Sequence, residues 1–428
     1  MSVKAPLRDA ATFHETPVID VTVVMPCLNE IVSLPHCIAN ARDALERITA
    51  LYGLTGEIVI ADNGSSDGSQ ELAETLGARV VPVQQKGYGA ALIGGCEGAF
   101  GRFLLMGDAD GSYDFTDGVP MIGRLLEGAD ICMGSRFKGG IAPGAMPWKN
   151  RYIGNPILTG ILNLFFRSGV SDAHCGLRAI TRDAFRSLRL SGTGMEFASE
   201  MVIKASLKKF RIAEVPATLA KDLRDRPPHL RPWRDGWRHL RYLLMLSPTW
   251  VFGVPGIVAT LFGVTILAMA IVQTLLPGSF PAVGNYWIIL ASAMLSVGHL
   301  AALMGLSAQL YGIQEGYRVA GAKTQMLTRV SSLEAMLGAG SVLIAVGIIA
   351  LLAVLWQWTG RQFTNIYNIL PAVIGTTLIT IGFQTIMGGF LISILGGNAA
   401  TFLFRKNSSD DNKKWVATID SNSNLASR

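Results

Sequence analysis

Two aspartates one residue apart, Asp108 and Asp110, follow the short apolar run Phe103–Met106 in this 428-residue chain. A hard divalent cation takes oxygen ligands and readily bridges one or two carboxylates to a diphosphate, so Asp108-Ala109-Asp110 is a candidate cation site. Similar runs end in polar clusters of their own. Val21–Met25 leads into Pro26-Cys27-Leu28-Asn29-Glu30, Ile58–Ala61 into Asp62-Asn63-Gly64-Ser65-Ser66-Asp67-Gly68, and Arg79–Val83 into Lys86-Gly87-Tyr88-Gly89. On their Gly/Ser-rich turn, Asp62 and Asp67 are placed to accept hydrogen bonds from a base or from ribose hydroxyls. A Lys-Gly-x-Gly segment is usually a turn before a helix and becomes a candidate phosphate cradle only in such company. His174 beside Cys175 is one adjacent pair and reads as core or loop rather than a metal site. Glu196 and Glu200, one helical turn apart, read either as a solvated helix face or as a carboxylate that orients a substrate.

The elements that must position these groups alternate two periodicities. Short β-branched runs, with Ile131–Met133 as the fifth, are separated by stretches of helical spacing such as Leu34–Ile48 and Tyr88–Phe100. That order implies βαβ units and an α/β fold with a mostly parallel sheet. The polar clusters then share the carboxyl edge of the sheet, where ligands bind in open α/β folds.

After about residue 245 the chain changes character. Four apolar stretches, Trp250–Leu276, Trp287–Leu310, Ala335–Trp358 and Ile369–Gly396, each exceed the roughly 20 residues needed to cross a bilayer core. Half the chain is hydrophobic and 16% is charged, yet the net charge is +6. The basic excess is concentrated in Arg224, Arg226, Arg231, Arg234, Arg238 and Arg241 before the first stretch, and in Arg318, Lys323 and Arg329 between the second and third. Basic loops mark the cytoplasmic side, which places the N-terminal domain, the middle loop and the C-terminal tail inside. The first twenty residues carry charges and no apolar run, so no cleaved secretory signal is expected. Cys27, Cys37, Cys96, Cys132 and Cys175 all fall in the inside part and read as reduced core thiols. Within Trp233–Leu246, Trp233, Trp237, Leu240 and Leu244 share a helical face flanked by Arg234, Arg238 and Arg241, as in a helix lying in the headgroup layer. Asn155–Phe166 is too short to span and reads as an interfacial helix or a core helix. The expected organisation is a catalytic domain at 1–228, a juxtamembrane amphipathic helix at 229–248, four transmembrane helices at 249–398 and a disordered tail at 399–428.

The front of the chain resembles the family-2 glycosyltransferases of GT-A fold, and among them the dolichyl- or polyprenyl-phosphate sugar synthases. Pro26-x-x-Asn29-Glu30, the Asp62–Gly68 turn, Asp108-x-Asp110, Gly134-Ser135-Arg136-Phe137, Asp172-x-x-Cys175-Gly176-x-Arg178 and Glu214-Val215-Pro216 occur in family order over about residues 18–230. The resemblance implies a nucleotide-sugar donor (UDP- or GDP-linked), Mg²⁺ or Mn²⁺ at Asp108 and Asp110, and transfer of a hexose to a polyprenyl or dolichyl phosphate with inversion. It implies donor contacts from Pro26, Asn29, Glu30, Asp62, Asn63, Asp67, Lys86, Asp108 and Ala109. Asp110, Arg136 and Arg151 would be catalytic. A polyprenyl phosphate is already an anion, so two anionic reactants must share a cationic slot, to which Arg136, Arg151, Arg178, Arg226, Arg234 and Arg238 are assigned. Two departures stand out. Asn63 replaces the usual second aspartate of the nucleotide turn, and Arg226-Pro227-Pro228-His229-Leu230-Arg231 replaces a Gly-x-Ser-Lys segment.

Expected partners are the donor, the lipid phosphate and membrane lipids, with no nucleic acid; a homo-oligomer is compatible with the sequence. The expected location is the cell inner membrane, the lipid-linked sugar serving envelope glycans or protein glycosylation. Two other readings remain. A processive polysaccharide synthase would carry Gln-x-x-Arg-Trp before its pore, which this chain lacks. A non-catalytic lipid or sugar transporter would need ionisable groups at membrane depth, where the apolar stretches offer little beyond His299.

Overall fold

The computed structural model describes residues 19–224, 232–278, 283–321, 326–327, 331–364 and 368–396. Arg226, Arg231, Lys323, Arg329 and the tail from 399 onward lie outside the described residues. The chain folds into two compact units, one ending at Leu243 and the other beginning at Leu244.

The first unit is a seven-stranded sheet of β1 (Val21–Cys27), β2 (Gly56–Asp62), β3 (Arg79–Pro82), β4 (Phe103–Met106), β5 (Ile131–Ser135), β6 (Arg178–Thr181) and β7 (Ile212–Pro216), in the order β3-β2-β1-β4-β6-β5-β7. The pairs β1·β2, β1·β4, β2·β3 and β5·β7 are parallel. Only β6, inserted between β4 and β5, runs antiparallel to its neighbours. The five expected strands are therefore present. The four-residue β6 gives no periodic signal of its own, and its place is fixed by pairing on both edges.

Helices cover both faces. They are α1 (Leu34–Tyr52), α2 (Ser69–Thr75), α3 (Tyr88–Glu97), α4 (Val119–Leu126), the single turn α5 (Arg136–Gly139), α6 (Asn155–Phe166), α7 (Arg182–Leu188), α8 (Phe197–Leu207) and α9 (Pro232–Met245). In α1, Leu34, Ile38, Ala41 and Ile48 recur at helical spacing and are buried at 0–1% exposure. The helix stops at Gly53, whose φ of 68° permits the left-handed cap and whose N–H bonds the Thr49 carbonyl at 2.9 Å. Phe115, fully buried, joins β1, β4 and α4 in one core. All five cysteines are free and buried in this unit.

The second unit holds four helices long and apolar enough to cross a membrane: Thr249–Leu275, Asn285–Gln314, Leu333–Gly360 and Leu370–Leu395. The third starts at a capping Ser332, whose hydroxyl accepts from Ala335 N–H at 3.3 Å. Helices in lipid gain little from hydrophobicity and associate by close packing. The third and fourth spans do this at Gly340 and Gly347, where a Cβ would come within 2.7 and 2.6 Å of the Gly382 and Gly375 carbonyls. Between the second and fourth spans, His299 Nε2 meets Thr385 Oγ1 at 3.0 Å and Ser292 meets Thr377 at 2.6 Å. These polar groups inside the spans are thus used to join helices.

Candidate active site

At the carboxyl edge, two loops close on each other. The Asp62 carboxylate accepts from Gly64 N at 2.8 Å, from Ser65 N at 3.2 Å and from Gln70 Nε2 at 2.7 Å. Asp67 accepts from Ile31 N at 3.1 Å and Ser69 Oγ at 2.6 Å. Burial alone would raise the Asp67 pKa, but these hydrogen bonds outweigh it and hold the carboxyl below its usual range. Asn29, in the left-handed region at φ 57°, accepts from Ser66 N at 2.8 Å. Pro26 pairs in register with Ala61. Both aspartates, expected to receive a base or ribose, thus first shape the turn that would receive it.

Asn63 has a physical reason to depart from aspartate. Its amide donates to the Val83 and Gln85 carbonyls at 3.0 and 2.7 Å, and its Oδ1 accepts from Gly87 N at 2.8 Å. A carboxylate could not make the two donations. Lys86 lies across the same turn, with its ammonium on the Asn63 carbonyl.

The glycines after Lys86 form the turn that opens α3 and lie against protein backbone. A Cβ at Gly87 would sit 2.1 Å from the Thr193 carbonyl oxygen, and one at Gly89 2.1 Å from that of Gly192. Ala90 N also donates to Thr193 O at 3.1 Å. The start of α3 is covered by the loop before α8, so these glycines admit a protein backbone. That loop is held in turn by Glu200, which is fully buried, pairs with Lys204 at 2.6 Å and accepts from Gly192 N at 2.7 Å. Glu200 is thus neither a solvated helix face nor a free substrate ligand.

What the covered segment contributes is Tyr88. Its hydroxyl donates to Asp108 Oδ1 at 2.9 Å. Asp108 is pushed up to about 6, first by burial and then by the negative charge of Asp110. Asp110 accepts from Ser112 N at 2.9 Å and Ser112 Oγ at 2.6 Å, while its Oδ2 lies 2.9 Å from Arg224 Nη2. Arg224 Nε also pairs with Glu30 Oε1 at 3.0 Å. Two hard carboxylates on one strand-end loop form a donor set suited to Mg²⁺ or Mn²⁺. No cluster of three or more His, Cys, Asp or Glu ligands occurs among the described residues. A cation here would complete its shell from water and ligand oxygens, as Mg²⁺ does. Ala109 is buried and its carbonyl accepts from Ser33 Oγ at 2.7 Å, so it fixes the Asp108–Asp110 loop against α1.

The expected arginine clamp is largely redistributed. Arg136 is 8% exposed and forks onto Asp172, with Nε 2.7 Å from Oδ2 and Nη2 2.8 Å from Oδ1. Arg178, 2% exposed, gives its guanidinium to the Cys175 and Ala198 carbonyls. Both guanidiniums, assigned by sequence to the acceptor phosphate, are thus engaged by groups of the protein itself. Arg151 differs: it sits on a π-helical turn, Asn150–Gly154, over the Tyr152 ring at 5.4 Å, and pairs with no carboxylate among the described residues. Such turns often occur at functional sites. Nearby Trp148, Tyr152, Ile153, Ile157 and Leu164 are exposed. Arg234 is exposed and Arg238 half-buried on α9.

Helix α9 packs within the first unit through His239, whose Nδ1 is 2.8 Å from Ser199 Oγ and whose ring meets His174 edge-on at 4.9 Å. His174 is pushed down to about 3, mainly by burial and then by His239, as a core histidine. Leu243 is buried while Trp237 is 59% exposed, and the Trp233 side chain lies outside the described residues. Sequence reasoning missed Tyr88 and Arg224 as members of the site. A tyrosine inside a Gly-x-Gly turn was a weak signal for the first; nothing local marked the second, whose contacts come from distant strands.

Residues 22–189 match the family described as Glycosyl transferase family 2, and residues 306–396 the Glycosyltransferase family 2 C-terminal transmembrane region. The low-salt glycan biosynthesis hexosyltransferase Agl6 of Haloferax volcanii is 37% identical over 384 residues, covering 88% of this chain and 89% of that protein. The dolichyl-phosphate hexose transferase of the same organism is 28% identical over 198 residues, 46% of this chain and 81% of its own length. Among solved structures, glucosyl-3-phosphoglycerate synthase from Mycobacterium tuberculosis, in complex with Mn²⁺, UDP and glucosyl-3-phosphoglycerate, is similar with a TM-score of 0.40 at 21% identity over 53% of this chain and 78% of its own.

Proposed function

Because this chain belongs to glycosyltransferase family 2 and carries that family's transmembrane region, we propose that it moves a hexose from a nucleotide diphosphate sugar to a polyprenyl or dolichyl phosphate in the membrane. The observation that carries this reading is the carboxylate pair Asp108 and Asp110 just beyond β4, fixed by Tyr88 and Ser112, in a chain that also has four candidate spans. The dolichyl-phosphate hexose transferase similarity supports the lipid acceptor. A divalent cation, when bound at Asp108 and Asp110, supplies stabilisation of the charge that develops on the departing diphosphate. The chain's own residues do the rest. Tyr88 and Ser112 fix the two carboxylates, and the Asp62–Gly68 turn, braced by Asn29 and Asn63, receives the nucleoside. Lys86 flanks that turn. Arg151 faces the acceptor phosphate, with Arg234 and Arg238 of α9 at the headgroup layer, where each basic residue attracts anionic lipid by about 1 kcal/mol. The acceptor phosphate is an anion near neutral pH, so no strong general base is needed.

The test is direct. Membranes or purified protein given a radiolabelled nucleotide sugar and a polyprenyl phosphate are expected to yield label in an organic-extractable, acid-labile lipid. Label that grows instead into an insoluble polymer would support the processive reading, and no transfer across a panel of donors would remove the enzymatic one.

Charge in the loops supports an orientation with the catalytic unit and both termini inside, in the bacterial-type inner membrane. Since the native cysteines are buried, single cysteines introduced at Thr364 and Ser331 are readable. T364C is expected to react with an impermeant thiol reagent from outside, and S331C only after the membrane is opened. The reverse pattern overturns the orientation.

A further inference from the structure

Arg224 joins acidic groups from two strand ends. Its guanidinium reaches Asp110 Oδ2 at 2.9 Å, beyond β4, and Glu30 Oε1 at 3.0 Å, beyond β1, with side-chain exposures of 16% for Arg224, 12% for Asp110 and 6% for Glu30. The segment that delivers it is fastened by its main chain. Ala220 N donates to Ser112 O at 2.8 Å and Leu223 N to Asp110 O at 2.9 Å. The Leu223 side chain fills the space over Gly111, which has φ +77° and where a Cβ would come within 2.7 Å of it. Arg224 is therefore held in place, and it supplies the one positive charge in direct ion-pair contact with Asp110 among the described residues.

A guanidinium and a divalent cation compete for the same carboxylate oxygen. The cation needs contact at about 2.0–2.2 Å, and the two like charges repel across the few ångströms between them. We propose that Arg224 is a resident surrogate cation: it keeps Asp110 and Glu30 paired and in position until a divalent cation arrives, and it must leave Asp110 for that cation to bind. Arg224 is thus a positioning residue that lowers the cation affinity of the protein, because only the fraction of molecules with Arg224 displaced is competent to bind. The proposal rests on the reading of Asp108 and Asp110 as cation ligands.

The test uses purified full-length protein and Mn²⁺ alone, with bound Mn²⁺ read from the loss of the free-ion resonance signal. Arg224→Gln is expected to bind Mn²⁺ roughly tenfold more tightly than the unsubstituted protein. Arg224→Lys, which keeps the charge, should stay near it. Equal or weaker affinity in Arg224→Gln, with Asp110→Asn still abolishing binding, overturns the proposal and leaves the cation reading standing. Mn²⁺ binding indifferent to Asp110→Asn overturns both. A second measurement needs no variant at Arg224. In the unsubstituted protein, Mn²⁺ is expected to speed modification of Arg224 by phenylglyoxal, mapped by peptide mass. An unchanged or slower rate overturns the proposal.

Discussion

Asp110→Asn is expected to lower sugar transfer by about a thousandfold or more while the protein still folds and inserts. The magnitude follows from losing several kcal/mol of leaving-group stabilisation, each 1.36 kcal/mol being a factor of ten. The fold should survive because asparagine keeps the shape and still accepts from Ser112 N and Oγ. It also loses only one of the two carboxylates that hold Arg224. Transfer rate and melting temperature, measured together in full-length protein, check both halves. Activity near the unsubstituted level, or unsubstituted activity undiminished in metal-depleted buffer, would contradict the assignment. A pH dependence accompanies it. Asp108 has its pKa raised to about 6 by burial and by Asp110, so it takes up a proton as pH falls through that value. Cation binding, which needs the ionised form, should weaken below about pH 6. In cation-free protein the sign is opposite for stability: a raised carboxyl pKa gives stability that is present at low pH and lost as pH rises through about 6. Asp108→Asn should flatten that slope.

Asp172→Asn is expected to destabilise the α/β unit by about 3–5 kcal/mol, because it leaves the buried Arg136 guanidinium without its counter-charge. The pair is dry, with Asp172 fully buried and Arg136 side-chain exposure of 9%. It also anchors the 172–178 segment to the start of α5 through a bond from Arg136 N to Asp172 Oδ2 at 3.2 Å. A fall in melting temperature on the order of 10 °C in full-length protein is the readout. Replacing both residues by apolar ones of similar volume should cost less than the single change, since no unpaired charge remains. Burial would raise the Asp172 pKa, but Arg136 outweighs it and holds the carboxyl below its ordinary value. The stability it confers is therefore present above about pH 4 and lost as pH falls below it. A single variant as stable as the unsubstituted protein would mean that Arg136 can turn to another partner, and would reopen its assignment as a phosphate ligand.

Much of the architecture was legible in the chain because it depends on local properties. Alternating periodicities marked the first five strands and helices such as α1 and α3, and uninterrupted apolar length marked the four spans; neither needs knowledge of the partner element. The position of Asp108 and Asp110 at a strand end followed from the same pattern, since polar residues that stop an apolar strand lie at its carboxyl edge. The order of the sheet did not follow, nor did β7, nor β6, four residues whose direction is decided by β4 and β5 on either side. The roles of the arginines were the least legible. Arg136, Arg151, Arg178 and Arg224 have the same side chain and the same local freedom. What separates them is whether a distant group meets the guanidinium: a carboxylate 36 residues away for Arg136, the Ala198 carbonyl of α8, 20 residues away, for Arg178, and a glutamate 194 residues away for Arg224. A buried cation persists only where such a partner compensates it. Residue type and spacing could therefore nominate these charges, but only tertiary pairing could assign them to core or to site.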